Sequence, residues 1–327
     1  MKRIFKFFLC VMLLCSVSLS FCGCGKKNKN SLLIYMPDGA PALAMSKLMY
    51  ENEQFDCETS YHVVSSSNIA NFVIQKNADL AIIPINMATK ILSDGENYKI
   101  ISSVTNGNLF IVGNQKINGL KDLKNQVIGV IGQGNVPDLN FRYLLNAEEI
   151  EYESSENVVP EKVAIRYFSD ASSLIPMLKT GKLKFGLLPE PAVSKLLSIA
   201  NNFNVELNIQ QLWGNESYPQ AVLIANSKIY GNQNLLDKII TKLKENQDWI
   251  LEQPVNAVEA INNHLDEGVV ASLQTTISVG TIRNCNIKVI PTTEIGEIER
   301  MKSYLQKIKS VNNLAVGSYT DNLFWCV

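Results

Sequence analysis

The chain has 327 residues, of which 46% are hydrophobic, and carries 30 Lys and Arg against 31 Asp and Glu. A formal charge of −1 leaves no electrostatic footprint for nucleic acid, and two lone histidines, His62 and His264, far apart in sequence, argue against a histidine-based metal centre. The length suffices for two lobes, each with a core of its own.

Residues 1–23 carry Lys2, Arg3 and Lys6, then an apolar run from Phe7 to Leu19, then small residues before Cys24. That is the order of a secretory signal, and the run is shorter than the roughly 20 residues of a comfortable membrane span. The stretch Phe21-Cys22-Gly23-Cys24-Gly25-Lys26-Lys27 resembles a bacterial lipobox, in which a small residue precedes a cysteine that is acylated and becomes the new N-terminus. Cys24 is the expected lipidation site, because Gly23 precedes it whereas Phe21 precedes Cys22. A plain signal peptide and an uncleaved anchor helix are the alternatives. On the lipoprotein reading, Cys24 to Asn30 form a polar tether, and the body is extracytoplasmic and lipid-anchored to the bacterial cell membrane. Its formal charge falls from −1 to −4. Of seven cysteines, Cys57, Cys285 and Cys326 then remain as thiols, with no CxxC spacing. Neither a disulfide framework nor a zinc site is indicated; buried free thiols are expected, with a Cys285–Cys326 bridge as the alternative.

The first element is a buried strand, Leu32 to Met36, followed by the turn Pro37 to Ala40 and a helix with Pro41 at its first position, where a missing N–H costs nothing. Ligands sit at the carboxyl ends of strands in open α/β sheets, and Gly39 lets the backbone approach a solute. Next come a strand Tyr61 to Val64, a capping turn Ser65 to Asn68 with a helix to Gln75, and a strand Asp79 to Ile83 ending in Pro84-Ile85-Asn86. A helix Met87 to Leu92 follows, then strands Tyr98 to Val104 and Leu109 to Val112 around the turn Thr105 to Asn108. The pattern restarts at Gly113 to Lys116. Strand Val127 to Ile131, the glycine turn Gly132 to Asn135 and a helix Pro137 to Leu145 lead to an acidic surface loop, Glu148 to Glu156. Two more units follow: strand Val163 to Phe168 with turn Ser169 to Ser173 and a helix to Thr180, and strand Leu183 to Leu188 with Pro189-Glu190-Pro191 and helix Ala192 to Ile199. Strand Ala221 to Ala225 opens a part that reads as amphipathic helices over Leu235 to Leu251, Pro254 to Leu265 and Ile295 to Ile308. Strands alternating with helices indicate parallel sheets with crossover helices.

The order of four short motifs resembles a type II periplasmic solute-binding protein of the nitrate-, sulfonate-, taurine- and thiamine-precursor-binding (NMT1/THI5-like) branch. They are Asp38-Gly39-Ala40-Pro41, Ala78-Asp79-Leu80-Ala81-Ile82-Ile83-Pro84, Gly119-Leu120-Lys121-Asp122-Leu123-Lys124 before Val127-Ile128-Gly129-Val130, and Pro189-Glu190-Pro191-Ala192. The likeness runs from about Ser31 to about Gln253; Leu314 to Val327 match nothing. It implies an α/β fold of two lobes with mixed, mostly parallel sheets joined by two crossover strands, near Gly113 to Lys116 and near Asn215 to Gln220. Lobe 1 would comprise residues 31–112 and 220–327, and lobe 2 residues 113–219. It further implies an ABC importer partner, a permease with its ATPase, closure by hinge bending, no cofactor and no enzymatic role.

Carried onto this sequence, the ligand loops of one lobe are Asp38, Gly39, Ala40 and Pro41; Ser65, Ser66 and Ser67; Pro84 to Asn86; and Asn106 and Gly107 within Thr105 to Asn108. On the other lobe they are Gln133, Gly134 and Asn135; Asp170 and Ser172; and Glu190. Trp213 and Tyr218 beside the second crossover either stack on a planar ligand or pack the hinge. Ser65 to Ser67 have helix capping as the plain alternative, and Glu190 that of a solvated charge. Two rival functions are weaker. Gly132-Gln133-Gly134 follows a strand, but Pro137 stands where a dinucleotide fingerprint needs Gly or Ala. Enzymes of thiamine-pyrimidine and menaquinone pathways share the fold, but the cysteine-rich motif of the synthase type is missing. An adhesion or signalling lipoprotein is the third reading. With Asp38 and Glu190 both assigned to the cleft, the expected ligand is a small polar organic molecule bearing donor groups, such as an amino-heterocycle, over nitrate or a sulfonate.

Overall fold

In the computed structural model the described residues are 31–92, 96–214, 217–273 and 277–326. The signal segment, Cys24 and the tether lie outside them. Among the described residues twelve strands form two six-stranded sheets. The strands of the first half are β1 (Ser31–Pro37), β2 (Glu58–Val64), β3 (Leu80–Pro84), β4 (Tyr98–Asn106) and β5 (Leu109–Gly113). Those of the second lobe are β6 (Gln126–Ile131), β7 (Tyr152–Ser154), β8 (Val163–Phe168), β9 (Phe185–Pro189) and β10 (Asn204–Asn208), and the chain returns with β11 (Pro219–Asn226) and β12 (Ile287–Pro291). The first sheet runs β12-β4-β11-β3-β1-β2 and the second β10-β5-β9-β6-β8-β7. Both fall within one compact unit of the chain.

Parallel pairs (β1 with β3, and β6 with β8 and β9) carry the crossover helices, while β11 runs antiparallel between β3 and β4. The long apolar runs follow from this, because strands covered on both faces have no polar side. Leu80, Ala81, Ile82 and Ile83 are all fully buried. Asp79, just before β3, is the polar exception, and its carboxylate accepts Leu33 N at 2.9 Å and Asn226 Nδ2 at 2.7 Å. One side chain thereby ties together the start of β3, β1 and the end of β11, which explains an acid in an otherwise apolar motif.

Two expectations need correction. Leu109–Gly113 does not stay in the first sheet: β5 pairs antiparallel with β9 and β10. The chain therefore crosses between the lobes at Gly107-Asn108, not at Gly113 to Lys116. The loss of apolar pattern after Gly113 marks the end of a buried strand, and every residue of β5 is buried. The helix after β1 is also broken, into Ala40–Leu43 with Pro41 second, and Ser46–Tyr50. Buried Asn246 fills the break, accepting from Lys47 N at 2.8 Å and donating to Leu43 O at 2.9 Å.

The return path runs from β10 through a short helix, Ile209–Leu212, to β11; Asn215 and Glu216 lie outside the described residues. The C-terminal part folds back onto the first sheet. Helix Glu297–Val311 buries Met301, Tyr304, Leu305 and Ile308, and the unplaced tail bridges to the start of β4, with Trp325 N donating to Ile100 O at 2.9 Å. Cys57, Cys285 and Cys326 are all free; only Cys285 is buried, and Cys326 is exposed. No described helix is long and apolar enough to cross a membrane.

Candidate functional site

Of the loops nominated from the sequence, those at Gly39, Asn86, Gly134 and Glu190 meet across a seam between the two sheets. Gly39, two residues past β1 and at the N-cap of helix Ala40–Leu43, has φ at +102°, a left-handed value that a side chain strains to adopt. A Cβ built there would lie 3.7 Å from both Pro191 Cδ and Ser272 Oγ, so this turn of the first lobe touches the Glu190-Pro191 turn of the second. Asn86, in the first turn of helix Ile85–Ile91 after β3, donates from Nδ2 to Gly134 O of the facing lobe and to Ala315 O, both at 3.3 Å. Ser194 and Thr281 hydroxyls lie 2.8 Å apart across the same seam, and Lys195 Nζ donates to Ala271 O at 2.9 Å.

The carboxylates at the seam serve the chain itself. Asp38 accepts Gly39 N at 2.8 Å and Ser272 N at 2.5 Å. Glu190 is buried and accepts Ser194 N and Ser194 Oγ, each at 3.0 Å, capping helix Ala192–Ile199. Burial pushes its carboxyl above the usual range, against the hydrogen bonds from Ser194 and Asn284 that favour the charged form. It is thus neither a solvated charge nor a free acceptor. Burial, and then the nearby Glu190 charge, raises the Cys285 thiol well above its ordinary value, which makes that cysteine an unreactive packing residue.

Asp170 and Ser172 form a capping arrangement for helix Ala171–Lys179, with Ser172 Oγ donating to Asp170 at 2.7 Å and Ser173 N at 3.0 Å. Beside Asn135, Gly134 N donates to the buried carboxylate of Asp138 at 2.8 Å, which also takes two bonds from Arg142 and one from the Tyr167 hydroxyl. Gln133, Ser66 and Ser67 are exposed, and the Ser65 and Ser67 hydroxyls bond each other. Asn68, at the start of the next helix, makes no side-chain cap.

Asn106, Gly107 and Tyr218 lie where the chain crosses between the two sheets. Both ends of the Asn106 amide are used internally, Oδ1 by Arg300 at 3.0 Å and Nδ2 by Lys288 O at 3.2 Å. Gly107 is required by packing, since a Cβ there would sit 2.6 Å from the Tyr218 ring. Tyr218 is buried and stacks on Tyr304, with Trp213 tilted against both. A cavity of about 660 Å³ lies against this cluster, lined by Trp213, Tyr218, Arg300, Tyr304 and Lys307 among others. Of the nominated loops it touches only the second crossover.

Arg300, which no motif pointed to, ties the two crossovers together. Its NH1 donates to Ser217 O at 2.7 Å on the second crossover, and NH2 to Ser103 Oγ at 3.2 Å and Asn106 Oδ1 on the first. Nε and NH2 also clasp buried Glu297 at 2.7 and 2.9 Å. Ser272, Thr281 and Asn284 were likewise missed, because they lie where the sequence carries no clear period. An i,i+3 Glu–Arg pair such as Glu297–Arg300 ordinarily reads as a solvated helix face.

No protein-family model matches the sequence, and no curated protein does. Solved structures match over nearly the whole chain. An ABC transporter protein from Parabacteroides distasonis superposes with a TM-score of 0.73 at 18% identity, over 91% of this chain and 99% of that one. The alkanesulfonate-binding protein SsuA from Xanthomonas axonopodis pv. citri, bound to MOPS, gives 0.62 at 11% identity over 90% and 98%. The periplasmic aliphatic sulphonate binding protein SsuA from Escherichia coli gives 0.61 at 12% over 90% and 96%. At such identities the likeness establishes the fold, which is that of the type II periplasmic binding proteins, as the sequence motifs led one to expect.

Proposed function

We propose that the chain is the extracytoplasmic solute-binding component of an ABC importer, and not an enzyme. It takes a small polar organic molecule at the seam and presents the closed form to a permease driven by its ATPase. The observation that carries this reading is the meeting of turns from both lobes at one seam, Gly39 against Pro191 and Asn86 against Gly134, beside two crossovers that permit hinge bending. Backbone turns, asparagines and hydroxyls orient a solute without reacting with it. The solute contacts proposed from the nominated residues are those of Asp38 to Pro41, Asn86, Gly134 and Asn135, and the Glu190 turn.

Mass spectrometry of small molecules released when the purified full chain is denatured tests this directly. The released molecule, added back to refolded protein, is expected to raise Tm, corresponding to about 2.7 kcal/mol at a hundredfold excess over Kd, and to shrink the radius of gyration. Stabilisation without compaction would remove hinge closure from the reading.

Anchoring through Cys24 belongs to the same proposal, supported by Gly23 before it and the polar tether after it. Lipid chains contribute about 0.8 kcal/mol per buried methylene, so Cys24→Ala is expected to move the protein from the membrane fraction to the soluble one. Retention of Cys24→Ala on the membrane, with release of Cys22→Ala, would assign the acyl group to Cys22.

A further inference from the structure

Which side of the molecule opens follows from how the apolar cores are divided between the lobes; this step rests on the solute-binding reading. Side chains alternate along a strand, so each sheet feeds a core on either face. In β1, Leu32, Ile34 and Met36 face one core and Leu33 and Tyr35 another. In β6, Ile128 and Val130 face one and Val127 and Ile131 another. On one face the core passes without a break from lobe to lobe. It joins Val136, Leu139 and Leu144 of helix Val136–Ala147 in the second lobe to Met301, Tyr304 and Ile308 of helix Glu297–Val311 in the first. On the other face the cores are separate. One holds residues of the first lobe alone, such as Leu43, Leu243 and Ile282, and the other residues of the second alone, such as Leu174, Val193 and Phe203.

The two faces are also bridged differently. Where the core is shared, the Tyr304 hydroxyl donates to Asn140 Oδ1 at 3.0 Å with both residues buried. Trp213 of the second crossover stacks on Tyr143 of helix Val136–Ala147 and leans against Tyr304. Parting these groups returns apolar surface to water and breaks a buried hydrogen bond. Where the cores are divided, polar groups make the bridge. Ser194 Oγ lies 2.8 Å from Thr281 Oγ1, Lys195 Nζ donates to Ala271 O at 2.9 Å, and the Asn284 side chain reaches Glu190. Ser194, Lys195 and Ala271 are half-buried, so water replaces these bonds as they break and little is lost.

We propose that the lobes part on one side only. Helices Val136–Ala147 and Glu297–Val311 stay packed as a pivot, and the mouth that admits the solute opens between helix Ala192–Ile199 and helix Val279–Asn284, latched by Ser194 and Lys195. The Gly39 turn, against Pro191 and Ser272, then stands at the mouth. Asn86, bonded to Gly134 O and to Ala315 O of the shared core, stands toward the pivot.

The experiment needs no solute. Full-length Lys195→Met/Thr281→Val is compared with the parent by hydrogen exchange and small-angle scattering. The radius of gyration is expected to rise, and peptides covering 192–199 and 279–284 to exchange about tenfold faster, as the loss of two ordinary hydrogen bonds allows. Peptides covering 136–147 and 297–311 are expected to keep the parent's rates. A second variant, Ser194→Cys/Thr281→Cys, puts two thiols where hydroxyls lay 2.8 Å apart. Its oxidised form is expected to match the parent in radius and its reduced form to be larger, each against the parent treated alike. Faster exchange in both helix pairs would overturn the pivot. An unchanged radius in the first variant, with or without faster exchange, would overturn the latch, as would equal radii for the oxidised and reduced forms of the second. Either failure leaves the solute-binding reading standing, because that reading falls only on its own test, the absence of a molecule released on denaturation.

Discussion

The crossovers and the seam lie close together on the same loops, yet their charged side chains hold different things. At the crossovers one guanidinium spends Nε, NH1 and NH2 on Glu297, Ser217, Ser103 and Asn106, so both crossovers and helix Glu297–Val311 are fastened to one cation. At the seam the carboxylates hold their own backbone, and Asn86 and Asn108 keep an acceptor unpartnered. The contrast shows which charges fasten separate elements together and which hold chiefly the turn they sit on. Unpartnered buried atoms occur in both regions, Trp213 Nε1, Thr105 Oγ1 and Gln220 Oε1 beside the crossovers as well as Asn86 Oδ1 and Asn108 Oδ1 at the seam, so the difference lies in what the charged groups hold.

The largest expected effect comes from breaking the Arg300 cluster. Arg300→Met leaves Glu297, whose side chain is 3% exposed, as a buried carboxylate without its partner. Removing one member of a buried pair costs about 3–5 kcal/mol, and urea unfolding of the variant should show a loss of that size. Ser272→Ala, measured the same way, should stay within about 0.5 kcal/mol of the parent, since its hydroxyl bonds nothing inside the protein and no internal bond is lost. If the two substitutions cost the same, the division between a charge that fastens separate elements and a seam side chain that fastens none is wrong.

Much of this was legible from local signals. The strand-to-turn-to-helix units announced the parallel sheets, and the turns at Gly39, Asn86, Gly134 and Glu190 are among those that the fold brings face to face. What escaped has physical causes. Strand β12 and the segment around Ser272 carry no amphipathic period, because their partners are distant in sequence: β12 pairs with β4, and Ser272 N with Asp38. The crossover was misplaced because β4 and β5 follow each other across a short turn and are both buried, and burial does not say which sheet a strand joins. Nor does residue type reveal whether a carboxylate is spent. Asp38 and Glu190 look like ligand acceptors until their Gly39, Ser272 and Ser194 partners are in place.

The smallest expected effect separates two carboxylates that both cap helices of the second lobe, Asp170 and Glu190. Burial acts to raise Asp170, but bonds from Ser172, Ser173 and Ser169 outweigh it and its carboxyl lies below the ordinary value of 3.8. Its contribution to stability is therefore present above the unfolded pKa and lost as pH falls through the lower folded one. Glu190 has the opposite sign. Burial dominates and its carboxyl lies above the ordinary 4.5, so the native state binds the proton more tightly than the unfolded chain. Its contribution is full below the unfolded pKa and is lost as pH rises through the folded one. Urea midpoints taken across the acid range should consequently diverge. The deficit of Asp170→Asn relative to the parent widens as pH rises and then levels off, whereas Glu190→Gln gains on the parent over the interval between its two pKa values. Parallel curves for the two variants would mean that the Glu190 environment is as wet as that of Asp170, and that the seam is not the desolvated place its unpartnered amide oxygens imply.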